Sequence, residues 1–250
     1  MKNKTKKTIS KALATTLLIG ALPIMSNAHP RDIVNCYTSV DRYYSEKLAV
    51  KTQDEKVDDI YNLVKETYKY IDKENIESAF ASARNSLERE QEKNKENETE
   101  IEKYKMDEYY KRVAIILAVM ETESGFRQVN SKNTGGSVDY GIMQINECTI
   151  PTVKKALGDS VKDLKYKNSD NIEAGSYVIL DLCYNKAKEK HPEDVMLYTF
   201  GYYNRGLYFE NTKSWKYNRA KVLKQMNTRS KIYTERTEKY YKTLTEVEEA

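Results

Sequence analysis

The chain has 250 residues, 42 Lys and Arg against 38 Asp and Glu, and a formal net charge of +4. That surplus is local: five lysines and no acid precede residue 29, so the remainder carries 37 basic and 38 acidic residues. Such a balance argues against a nucleic-acid binder, and the scarcity of histidine, only His29 and His191, argues against His-ligated metal sites and most histidine-based triads.

Residues 1–28 have the layout of a secretory signal peptide. Lys2, Lys4, Lys6, Lys7 and Lys11 form a cationic head, Ala12 to Met25 an apolar run, and Ser26-Asn27-Ala28 a small-residue cleavage site. The apolar run is shorter than the roughly 20 residues of a membrane span, although an uncleaved anchor is the alternative. The expectation is an exported protein, secreted to the cell wall or periplasm. In an oxidising compartment one disulfide can form among Cys36, Cys148 and Cys183. Cys148–Cys183 is the favoured pair, with three reduced, buried thiols as the alternative.

Glycine and proline divide the rest. Arg31 to Ser124 contains neither, and a stretch without breakers reads as helical. Thr52-Gln53-Asp54-Glu55 has capping-box form. Val57, Ile60, Tyr61, Val64, Tyr68 and Ile71 then recur at helical spacing, and Ile76, Phe80, Ala83 and Leu87 make a second stripe. Residues 88–105 are almost wholly charged or amide-bearing and read as an exposed helix or linker. The expected organisation is a helical segment with linker over 29–105 and a second domain over 106–250.

A third stripe, Tyr109, Val113, Ile116, Leu117 and Met120, runs into Glu123, and Gly125 is placed to end that helix. Residues 131–146 hold Asn133, Gly135, Gly136 and Gly141, turn residues framing short extended pieces. Helices are expected over Thr149 to Leu157, with Pro151 in the first turn, over Asn171 to Lys190, over Pro192 to Tyr203 and over Arg229 to Thr245. Residues 211–245 carry ten Lys/Arg and two Glu. This reads as a solvated helix face, with attraction to an anionic wall polymer as the functional alternative.

What chemistry remains is that of carboxylates. No phosphate-binding glycine loop is present, and no cofactor is expected. Glu123 lies one turn beyond Val119 and Met120. A carboxyl group there loses hydration, which disfavours its charged form and raises its pKa. A proton retained near neutral pH is what cleavage of a glycosidic bond requires, because the leaving oxygen must accept one. Glu121 lies roughly 200° away around the helix and should face elsewhere.

Glu123-Ser124, Gly141-Ile142-Met143-Gln144-Ile145 and Tyr203-Asn204-Arg205-Gly206 resemble, in order, three motifs of the soluble lytic transglycosylases. Asn171-Ile172-Glu173-Ala174-Gly175 resembles the start of the family's intervening helix. The resemblance covers about residues 107–245. It implies a mostly α, lysozyme-like α+β fold with a small β-hairpin and a cleft for a peptidoglycan strand. By that resemblance Glu123 is the acid and then the base, and Ser124 bonds near the acid or the sugar. Gln144 donates to the glycan, Met143 packs in the cleft floor, Tyr203 positions the Glu123 carboxyl, and Asn204 bonds peptide or glycan. Ile142 replaces the usual leucine, and Gly201 stands near where the family has alanine.

Asn133 to Asn146 is also similar to the active-site hairpin of animal-type lysozymes, in which the residue matching Asp139 is a second catalytic carboxylate. Asp139 therefore has two readings. It is a nucleophile about 5–5.5 Å from Glu123, as in retaining hydrolases, or a residue that bonds local amides, which is preferred. The expected activity is peptidoglycan lytic transglycosylation leaving 1,6-anhydro ends. The alternatives are a muramidase using Glu123 and Asp139, and a non-catalytic glycan-binding envelope protein. The resemblance to small transglycosylases of conjugation and secretion machines adds such an assembly as a candidate partner.

Overall fold

The computed structural model describes residues 54–94, 102–133 and 135–245. The export signal, the capping box at Thr52 and Cys36 lie outside them.

Helix α1 covers residues 54–65 and buries Val57, Ile60 and Val64. The apolar spacing continues to Ile71, but the helix does not. Asp72 accepts the Glu74 amide at 3.2 Å, an N-cap that starts α2, Lys73–Asn94. Tyr68 and Ile71 belong to the turn between them. On α2, Ile76, Ala79, Phe80 and Ala83 are fully buried.

Helix α3, Glu102–Ser124, is the axis of the fold. Every residue from Val113 to Met120 is 0% exposed, so this is more than a stripe: a helix apolar on all sides must be covered on all sides. It ends at Gly125, where φ is +59°, a conformation glycine adopts without a Cβ clash. The Gly125 amide donates to Glu121 and the Phe126 amide to Met120, which satisfies carbonyls left open at the helix end.

Three short strands follow as an antiparallel sheet in the order β1-β2-β3: Asn130–Lys132, Val138–Tyr140 and Ile145–Asn146. Helix α4 is Ile150–Leu157, with Pro151 in its first turn. Helix α5, Asn168–Ser176, passes through a π-helical stretch, Tyr177–Tyr184, into α6, Asn185–Lys190. Helix α7 is Val195–Arg205. The last helix, α8, covers Lys213–Thr245 with a break at Asn218. It starts well before Arg229 because the Thr212 hydroxyl accepts the Trp215 amide at 3.2 Å, and Val222 and Met226 extend its buried face toward that cap. Its packing on α3 is the most extensive of any helix pair.

The charged stretch is only partly solvated. Arg89, near the end of α2, donates to Asp181 at 3.1 and 3.0 Å and to Glu173 at 2.7 Å. Arg112 is 0% exposed and bonds Ser86, Glu90 and Glu108. Buried charges persist only when paired in this way. These bonds tie α2 to α3 and α5, and Lys56–Glu246 form one compact unit. The boundary drawn at residue 105 crosses that unit. The favoured disulfide is corrected: Cys148 is exposed, Cys183 is buried in the π-helical turn, and both are free thiols. No helix among the described residues is long and apolar enough to cross a membrane.

Candidate active site

The four motif segments meet at the turn Gly141–Gln144. Ser124, at the end of α3, directs its hydroxyl at the Ile142 carbonyl (2.7 Å) and the Met120 carbonyl (3.0 Å). Asn171 of α5 accepts the Met143 amide at 2.8 Å and donates to the carbonyls of Tyr140 and Leu164, each at 2.9 Å. From α7, the Tyr203 hydroxyl donates to the Met143 carbonyl at 2.6 Å. Two glycines permit this crowding. A Cβ on Gly141, whose φ is +77°, would collide with the Asn171 amide, and one on Gly175 with the Met143 side chain.

Asn171 is fully buried, so Asn171→Ala leaves one N–H and two carbonyls without their partner. The expected loss is about 2–3 kcal/mol in a denaturant titration.

Glu123 sits beside this turn. Its carboxyl accepts a short hydrogen bond from Tyr233 of α8, whose oxygen also lies 3.3 Å from Asn204 Oδ1. Phe200 stacks on the Tyr233 ring with centroids 4.6 Å apart and fixes its plane. Burial pushes the Glu123 carboxyl above the ordinary glutamate range. The Tyr233 bond and the field of Arg229 oppose that shift, and the charge of Asp139 adds to it. Tyr233 is itself pushed up, by burial and then by Glu123. It is a donor to the carboxylate and not an acid.

Glu121 does face elsewhere. Tyr68 and Tyr240 donate to its two oxygens at 2.8 and 2.7 Å, and Arg236 lies 3.6 Å away. Tyr233, Arg236 and Tyr240 form one face of α8 laid along Glu121-Thr122-Glu123, with Arg236 donating to Thr122 at 2.7 Å.

Asp139 lies on the central strand, paired with Ser131 and Asn146. Asn133 donates to one of its oxygens at 2.8 Å and Asn146 to the other at 2.7 Å. It acts on Glu123 through its charge.

Three expected roles differ in the geometry. The phenol on Glu123 is Tyr233, whereas Tyr203 holds the turn through Met143. Gln144, at φ +50°, donates both amide hydrogens inward, to Val129 at 2.8 Å and Gly141 at 2.7 Å, and accepts Ser131 at 2.5 Å. It braces the sheet in this arrangement instead of offering a donor outward. Ser124 likewise binds backbone. Met143 is 0% exposed, and Asn204 donates to the Phe200 carbonyl at 2.9 Å.

A desolvated glutamate at the end of a core helix, beside a small antiparallel sheet in a helical body, defines a lysozyme-like domain. The family model for the transglycosylase SLT domain matches residues 100–225, half of the chain, and the chain belongs to that family. Its function is accordingly of the peptidoglycan-acting, lytic-transglycosylase type. Neither curated proteins nor solved structures give a match. Tyr233 and Arg89 lie outside the matched segment, whereas the Glu173 and Asp181 that hold Arg89 lie inside it.

Proposed function

We propose that this chain is a peptidoglycan lytic transglycosylase in which Glu123 alone transfers the protons. Protonated Glu123 gives its proton to the oxygen linking N-acetylmuramic acid to N-acetylglucosamine. The bond from that oxygen to the muramyl C1 breaks as positive charge builds on the ring. The Glu123 carboxylate then takes the proton of the muramyl 6-hydroxyl, whose oxygen bonds to C1 and closes the 1,6-anhydro ring. No water is consumed and Glu123 regains its proton. A group that must be acid and then base works best with a pKa near the working pH, and burial moves Glu123 in that direction.

The observation that carries the one-carboxylate reading is the engagement of both Asp139 oxygens by Asn133 and Asn146. A carboxylate held at both oxygens has lost freedom as a nucleophile, which supports transglycosylation over the muramidase alternative. Residues 1–28 would export the protein to the wall it acts on. Docking to a conjugation or secretion assembly remains part of the resemblance alone.

The test separates an enzyme from a glycan binder. Wild-type protein incubated with purified sacculi should release soluble muropeptides and clear the suspension. Stable retention on sacculi with no released fragment would favour the binding module.

A further inference from the structure

Between α7 and α8 lies a cleft of ≈ 530 Å³, within the size range of small-ligand sites. Its apolar side is Phe200 and Met226, and its polar side Asn204, Arg205, Gln225 and Arg229. Gly201 belongs to the wall: a Cβ there would run into the Met226 methyl, so the departure from alanine at this point lets α8 close up. Asn204 is shared with the bond network of Tyr233 and Glu123, so the cleft adjoins the acid.

The charges in it are of one sign, and no Asp or Glu lines it. Arg205 donates to Gln225 Oε1 at 2.7 Å, and both residues are exposed, so their remaining N–H groups are accessible as donors. Among the described residues Arg229 has no hydrogen-bond or salt-bridge partner; it acts on Glu123 and Tyr233 through its field. Two planar forks and an amide suit a carboxylate.

A muramic acid residue carries such a group on its lactyl ether, either as the free lactyl carboxylate or as the carboxylates of an attached peptide. Resting on the transglycosylase reading, we propose that this cleft is a subsite for a carboxylate on the lactyl-peptide arm of the muramyl residue. It would make the enzyme sensitive to the charge and amidation of the arm while Glu123 acts on the sugar.

The test uses binding, so turnover does not enter. The Glu123→Gln protein is titrated calorimetrically with three muramyl disaccharides: one with a free lactyl carboxylate, one with an acidic peptide, and that peptide with its carboxylates amidated. At least one carboxylate ligand should bind about five- to ten-fold tighter than the amidated one, less so at high salt. Adding Arg205→Gln and Arg229→Gln, both at exposed positions, should abolish the difference. Which ligand shows the preference identifies the source of the carboxylate. Equal affinities, absence of binding by all three, or a preference that survives both substitutions would overturn the proposal. Failure of the sacculus digestion would overturn the catalytic reading and leave this preference separately measurable.

Discussion

Glu123→Gln is expected to lower turnover on purified peptidoglycan about 10³-fold, the scale of a lost general acid and base, while the protein stays folded. Glutamine keeps an oxygen that can accept the Tyr233 hydroxyl, and the apolar packing of Val113 to Met120 is untouched. It cannot deliver a proton to a glycosidic oxygen. The stability change has a defined sign. Burial raises the folded-state pKa of Glu123 above its unfolded value, so the folded state binds that proton more tightly, and the stability this contributes is lost as pH rises through the raised pKa. A neutral glutamine lacks that loss. The variant should melt at a temperature equal to or above wild type at neutral pH, with the gap widening from acid to neutral conditions. Near-normal turnover in a folded variant would remove Glu123 from the mechanism.

Tyr233→Phe should lower kcat about 100-fold with a much smaller change in KM. The phenol is the hydrogen-bonding group on the acid, and Phe200 and Asn204 fix where it stands. Without it the carboxyl is free to rotate away from the scissile oxygen, and misplacement by about 1 Å is enough for a loss of that size. The pH profile separates this role from packing. In the proposed mechanism activity requires protonated Glu123, so it should be present below the raised pKa and fall as pH rises through it. The Tyr233 bond favours the charged form, so its removal raises the pKa further and moves the alkaline limb to higher pH. Phenylalanine preserves the ring stack on Phe200. A variant with unchanged kcat, or with its limb moved to lower pH, would contradict the assignment.

The elements easiest to read from sequence were those written in local spacing. The apolar run ending at Glu123-Ser124-Gly125, Pro151 in the first turn of α4 and the turn residues around Gly141 all reappear where they were expected. What sequence left out is long-range. Tyr233 stands 110 positions from Glu123, and nothing local marks it among 21 tyrosines. The nearest signal is the spacing of Tyr233 and Tyr240, two helical turns apart, opposite the carboxylates of Glu123 and Glu121. Arg89, within the stretch 88–105, read as a solvent charge because composition does not reveal which carboxylates will face it. Apolar spacing runs on to Ile71, but α1 stops at residue 65 and Asp72 caps a new helix. Gln144 reads as a glycan donor by the family resemblance alone. Its inward bonds depend on a positive φ that spacing does not announce.

The most direct test of the one-carboxylate mechanism is the mass of the muramyl end released when wild-type protein digests purified peptidoglycan in ¹⁸O-water. An intramolecular 6-hydroxyl attack predicts 1,6-anhydro-muramyl ends without label. Reducing muramyl ends carrying ¹⁸O would show that water is the nucleophile, and would contradict the account.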